Sequence, residues 1–257
     1  MKISNTMSKL SLFDFKNVFK YYKGEEHQIK AVEQLFESLP KEVLSEYADW
    51  IRTYRKQTND IKQRWPISKE DMASIMKCAV STLSDDLMDD YAECCRKYKL
   101  DSTNQAYFLG QVGHESAGLR YPIEWHDGSN YEYRHDLGNV NPGDGIKYAG
   151  TGFIQVTGRY WHTEFSRDIG DPKVIYEGKK YTANKYPWSI SGYWWKRNSM
   201  ISFCKTLPPI DAVGATVNGK YLPNGYEDRR AYSKRAFSVL GLQYPGDSEA
   251  SRSIKTL

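Results

Sequence analysis

The sequence predicts a mainly α-helical protein with a very small sheet, arranged as a small N-terminal helical module followed by one larger domain. Two observations carry this. Apolar residues recur three and four apart through most of the chain, between residues suited to capping helices. Strand-type alternation is confined to one short stretch, Gly152–Thr157. The composition agrees: of 257 residues, 40% are hydrophobic and 26% charged, which fits a folded globular chain rather than a disordered one. No apolar run approaches the roughly 20 residues that a membrane-spanning helix needs.

Residues 1–60 read as the small module. Phe15, Val18, Phe19 and Tyr22 share one helical face; after Gly24 the pattern restarts with Ile29, Val32, Leu35 and Phe36, and it breaks at Leu39-Pro40. A third segment carries Leu44, Tyr47, Ala48 and Ile51, with Trp50 beside them. Three short amphipathic helices can bury a core only against one another. The polar run Lys56–Asp60 reads as a linker, residues 61–245 as the larger domain and residues 246–257 as a loose tail.

The larger domain opens with a helix signal. Ser68 is placed as N-cap, with Asp71 three residues later, ahead of Met72, Ile75, Met76 and Ala79. A second helix is expected over Asp85–Tyr98, and Asp101-Ser102-Thr103 caps a third. That third helix sets Ala106, Leu109, Gly110 and Gly113 along one side, so that two glycines admit close approach of another backbone.

Charge and cysteine usage narrow the function. A net charge of +4 with no Lys/Arg stripe gives no nucleic-acid footprint, but suits approach to an anionic polymer. Cys78, Cys94, Cys95 and Cys204 lack metal-ligand spacing and read as reduced thiols. The 20 tyrosines and 7 tryptophans offer flat apolar faces with polar edges, suited to packing and to stacking on sugar rings.

The chemistry concentrates after the third helix. His114 and Glu115 fall in its last turn, where the negative end of the helix dipole disfavours a second negative charge, as suits a general acid. The plain alternative is a solvent-facing glutamate ending a helix. Glu124 follows nine residues later; on an unbroken helix it would lie roughly 13 Å along the axis. Gly118 and Pro122 forbid that continuation, so the chain turns and Glu124 can face Glu115. Carboxylates about 6.5–9.5 Å apart leave room for a water and predict inversion at an anomeric carbon. Glu132 is the rival for the second carboxylate. Strand alternation would set Phe153, Gln155 and Thr157 on one face, where Gln155 can bond N-acetyl groups and Thr157 can orient a water. Gly150 and Gly152 then read as backbone approach beneath a substrate, since no phosphate-loop fingerprint accompanies them.

Several motifs resemble glycoside hydrolase family 19: His114-Glu115-Ser116; Tyr148-x-Gly150-x-Gly152-x-Ile154-Gln155-x-Thr157-Gly158-Arg159; Ser191–Lys196; Val217-Asn218-Gly219; and Asn224–Arg230. They run in the family's order from about Pro66 to Gly241. The resemblance implies a lysozyme-like catalytic domain with Glu115 as general acid and Glu124 as general base. It implies Thr157 as the hydroxyl that helps hold the attacking water. His114, Tyr148, Gln155, Asn218 and Arg229 fall on the substrate side or order the cleft; Asn218 also reads as a turn residue, and Arg229 as half of a buried ion pair. The sequence departs from the family at Ala149 and Thr151, where arginines are usual, and at Trp161-His162, where an Asn-Tyr pair is usual. Its loop from Glu124 to Tyr148 is also short.

The family includes plant and bacterial chitinases and many phage endolysins. The expectation is an endolysin cleaving β-1,4 bonds of bacterial peptidoglycan, of lysozyme (muramidase) or glucosaminidase type, with no cofactor, no metal, no nucleic acid and no membrane insertion. Residues 1–5 lack the apolar core of a signal peptide. This suggests synthesis in a host cytoplasm and holin-dependent release or carriage in a virion, with residues 1–60 as a wall-binding or attachment module or a structural cap. The alternatives are a chitinase on the same scaffold, a lytic transglycosylase using one acid, and a tail or baseplate protein that binds wall glycan.

Overall fold

The computed structural model describes residues 64–221 and 224–248, with residues 30, 31, 34, 37–40 and 43 of the N-terminal region. The chain divides into two units, Met1–Arg64 and Trp65–Leu257. In the first, Ser38 is helical and Leu39 and Pro40 are not, where the sequence predicts a break. The rest of the three expected helices, the linker 56–60 and the end of the tail lie outside the described residues.

The second unit begins with α1, Lys69–Met76, whose N-cap Ser68 accepts from the Asp71 amide at 3.0 Å. Lys77 takes left-handed geometry and ends it before Ala79. Then come α2, Asp85–Tyr98, and α3, Ser102–Glu115, capped by Ser84 and by Asp101. After a long loop come α4, Asp144–Lys147, α5, Arg159–Ile169, and α6, Lys173–Glu177. They are followed by α7, Lys179–Lys185, α8, Pro187–Arg197, and α9, Met200–Lys205. The last two are α10, Ile210–Asn218, and α11, Tyr226–Val239.

α3 is the axis of the unit. It is buried without interruption from Asn104 to Gly113, the signature of a helix packed on all sides. The glycine stripe does what its spacing predicts. A Cβ on Gly110 would stand 2.9 Å from Ser233 Cα, and one on Gly113 would overlap the Tyr232 ring, so α11 lies directly on α3. On another side Trp188 of α8 meets Tyr91 of α2, Phe108 of α3 and Phe153 at ring-centroid distances of 5.0, 6.0 and 4.6 Å. α8 has no cap in its own sequence. Asp90 of α2 fills the role, accepting from the Trp188 and Ser189 amides at 2.7 and 3.2 Å.

The small sheet and the strand reading of 152–157 are overturned. Only isolated bridges occur among the described residues, joining Thr151 to Ile123 and to Val156. Gly152 and Gln155 have φ of +72° and +56°, and the Gln155 amide donates back to Gly152 O at 3.2 Å. Four residues turn between the bridged ends, so alternation in the sequence does not translate into one face. Among the described residues, no helix is long and apolar enough to cross a membrane.

Candidate active site

Glu115 ends α3 at a knot of turns. The Ser116 hydroxyl donates to Val112 O at 2.6 Å and accepts from the Leu119 amide at 2.9 Å, while Ser116 O accepts from the Arg120 and Tyr121 amides. Gly118, at φ +71°, closes the turn and lies against the Met76 carbonyl, where a side chain has no room. The chain therefore leaves the helix directly after Glu115, as Gly118 and Pro122 predict.

The Glu115 side chain is 21% exposed, and its Oε1 accepts from Arg229 Nη2 at 2.5 Å. Arg229 is 1% exposed. Its Nε donates to Asn224 O at 2.9 Å and its Nη1 to Gln111 Oε1 at 2.7 Å. A buried, fully engaged guanidinium thus fixes one oxygen of the carboxyl, while Oε2 takes no hydrogen bond from the described residues. Arg229 is thus half of a buried ion pair, one of the two readings the sequence left open.

Glu124 is half-buried on the segment bridged to Thr151. Its amide donates to Gly150 O at 2.9 Å; its Oε1 accepts from the Tyr131 hydroxyl at 2.8 Å and its Oε2 from the Gly150 amide at 3.0 Å. Burial, then the bond to Glu124 and its charge, push the Tyr131 phenol up, so it remains a donor to the carboxylate. Lys179 of α7 lies in the field of Glu124; burial pulls its ammonium down, and Glu124 and Asp127 oppose that.

Gln155 lies across Gly150. Its Nε2 donates to Tyr121 O at 3.0 Å, and a Cβ on Gly150 would stand 2.6 Å from Gln155 Oε1 and 3.0 Å from Glu124 Oε2. The glutamine and the carboxylate therefore converge over a position that only glycine can occupy. Gln155 Oε1 is buried and unpartnered among the described residues. Thr157 donates its hydroxyl proton to Gln155 O at 3.0 Å, leaving oxygen lone pairs to accept from a water.

Other expected residues are engaged elsewhere. Tyr148, placed on the substrate side, is fully buried; its hydroxyl donates to Ile175 O at 3.0 Å and its ring packs on Arg159 and His162. His114 turns toward α11, bonded to Asp228 at 2.9 Å, with its ring on the Gly225 backbone. Asn218 accepts from the Asn224 amide at 3.2 Å and holds the loop before α11. Glu132 accepts from the Gly143 and Gly145 amides at 2.6 and 2.8 Å, which makes it a loop anchor and removes it as a rival base. Arg159 of the glycine-rich motif pairs with buried Asp144.

Sequence reasoning missed Tyr131 and Gln111. Gln111 was within reach, since it sits four residues before Glu115 on the same helical face. Tyr131 was not, because its contact depends on the path of an irregular loop. Among the described residues, no group of three His, Cys, Asp or Glu side chains is arranged to hold a metal ion.

No family model matches the sequence. The fold is similar to solved chitinases. Chitinase C from Streptomyces griseus HUT6037 aligns at 16% identity and TM-score 0.54, over 73% of this chain and 99% of that one. A family GH19, class IV chitinase from Zea mays aligns at 17% identity and TM-score 0.53, over 70% and 94%. A bacterial family 19 chitinase aligns at 18% identity and TM-score 0.50, over 71% and 98%. At these identities the likeness is one of fold: the chain shares the mainly helical fold of these chitinases.

Proposed function

We propose that this chain, on a fold shared with family 19 chitinases, is an inverting glycoside hydrolase of β-1,4-linked N-acetylated glycans. Its favoured substrate is bacterial peptidoglycan and its role that of a phage endolysin. The observation that carries the reading is the contrast between two carboxyl groups nine residues apart. Glu124 has both oxygens held by neutral donors, Tyr131 and Gly150, which fixes the group proposed to take a proton from water. Glu115 has one oxygen fixed by Arg229 and the other unengaged among the described residues.

In the proposed reaction Glu115 must first take up a proton on Oε2, the oxygen that Arg229 leaves unengaged, and then gives it to the glycosidic oxygen as the anomeric C–O bond breaks. Glu124 takes a proton from the water that attacks the opposite face, and Thr157, free to accept, orients that water. The two proton transfers balance, and the free sugar leaves with inverted configuration.

The test is turbidity loss of permeabilised bacteria, wild type against Glu115→Gln. The variant is expected to lose at least about a hundredfold in rate, the scale of general acid catalysis; equal lysis by both overturns the assignment. A Glu124→Gln variant with full activity, or anhydro-sugar products, would replace hydrolysis by a one-acid transglycosylation. Chitin is the second reading, favoured by the chitinase neighbours. Digesting purified peptidoglycan and chitin in parallel, with the new reducing ends identified, separates the two.

A further inference from the structure

The tryptophans of the second unit divide sharply. Trp188 and Trp195 are fully buried, and Trp65, Trp161 and Trp194 pack partly against the core. Trp125 is 77% exposed and directly follows Glu124. Its ring meets that of Tyr121, itself 37% exposed, at a centroid distance of 4.8 Å and an interplanar angle of 56°. We propose that Tyr121 and Trp125 form a stacking platform for one pyranose of the glycan beside the reacting sugar. This rests on the glycosidase reading above and names the residues that would hold its substrate.

The platform is pinned at both ends. The Tyr121 amide donates to Ser116 O at 3.1 Å, next to Glu115, and Tyr121 O accepts from Gln155 Nε2 at 3.0 Å. The Glu124 amide bonds Gly150 O, and Ile123 bridges to Thr151. Both rings therefore sit on a segment whose backbone is tied to the residue after the candidate acid, to Gln155 and to the glycine beneath Glu124. Such preorganisation reduces the ordering entropy lost on binding.

The chemistry selects a sugar over other occupants. A pyranose presents an apolar C–H face and polar edges, which matches aromatic rings bordered by hydrogen-bonding groups. Two aromatic side chains offer at most about 500 Å², short of the roughly 800 Å² per partner of a stable protein interface.

Binding is measured by calorimetry in the Glu115→Gln protein with soluble β-1,4 N-acetylglucosamine tetramer and hexamer and with peptide-free peptidoglycan strands. Adding Trp125→Ala is expected to weaken the tighter ligand at least tenfold, Tyr121→Ala three- to fivefold, and Trp125→Phe less than threefold. With Glu115 restored, Trp125→Ala is expected to raise KM about tenfold with kcat within a factor of two. Affinity within twofold of the parent for Trp125→Ala, at an unchanged melting temperature, overturns the platform; so does absence of binding by the parent. Binding that depends on Trp125 in a wild type that cleaves no glycan keeps the platform and removes the hydrolase. Cleavage indifferent to Trp125 does the reverse.

Discussion

At the scale of single residues, the site is built by side chains that meet over missing ones. Gly150 has no unusual backbone requirement; it is glycine because Gln155 Oε1 and Glu124 Oε2 occupy the space a methyl would take, at 2.6 and 3.0 Å. Gly150→Ala is therefore expected to act on the site more than on the fold. Relieving such an overlap costs about 1–3 kcal/mol, or a few degrees in Tm for a domain of this size. Displacing Glu124, the proposed base, is by contrast expected to lower kcat/KM at least tenfold. Steady-state kinetics beside a thermal melt decides: a variant of reduced Tm and unaltered kcat/KM would show that the convergence has no catalytic meaning. The same scale shows where sequence reading stops. Glu132 and Tyr148 carry the residue types a sugar site uses, yet one is consumed by two backbone amides and the other by the core. Type and spacing on a loop do not tell which way a side chain turns, because the path is set by contacts far away in sequence.

At the scale of elements, the first three helices of the second unit were legible and the turn at 152–157 was not. Ser68 and Asp101 announce α1 and α3 because their caps are local hydrogen bonds, three residues long. The stripe Gly110–Gly113 announces a close partner, and α11 is that partner. The alternation of 152–157 misled because φ of +56° at Gln155 is fixed by its side chain, bonded to Tyr121 and Gly152, and not by local propensity. The α3–α11 contact also positions chemistry, since Arg229 lies one turn before Tyr232 on α11. Gly113→Ala drives a methyl into the Tyr232 ring, so it is expected to cost about 1–3 kcal/mol and to draw Arg229 away from Glu115. Adding Tyr232→Val makes room and is expected to recover more than half of the lost activity. Failure of the double variant to exceed Gly113→Ala alone would uncouple helix packing from Glu115, the proposed acid.

At the scale of the whole molecule, two buried groups outside the site set the pH response of stability, with opposite signs. Burial pushes the Asp90 carboxyl up to about 7 against the donors from Trp188 and Ser189, with Glu93 adding to the rise. Unfolded, a carboxyl titrates near 3.9, so between about pH 4 and 7 the folded protein holds the extra proton and stability falls as pH rises. Burial pulls the His162 imidazole down to about 4, below the ordinary value of 6.5. Between those values the unfolded chain holds the extra proton, and stability rises with pH. Asp171 works lower: burial pushes it up, but Tyr181 and Tyr186 donate to it and hold it at about 2, so its contribution is lost only below pH 4. Over pH 4 to 6.5 the Asp90 and His162 slopes, each at most about 1.4 kcal/mol per pH unit, offset one another. Wild type is therefore expected to show nearly flat urea-unfolding stability across that window. His162→Gln leaves Asp90 unopposed, so its stability is expected to decline as pH rises from 4 to 6.5. Asp90→Asn leaves His162 unopposed, and its stability is expected to climb over the same range. Parallel curves for the three proteins would mean that neither group titrates differently on folding, and slopes of the reverse sign would exchange their roles.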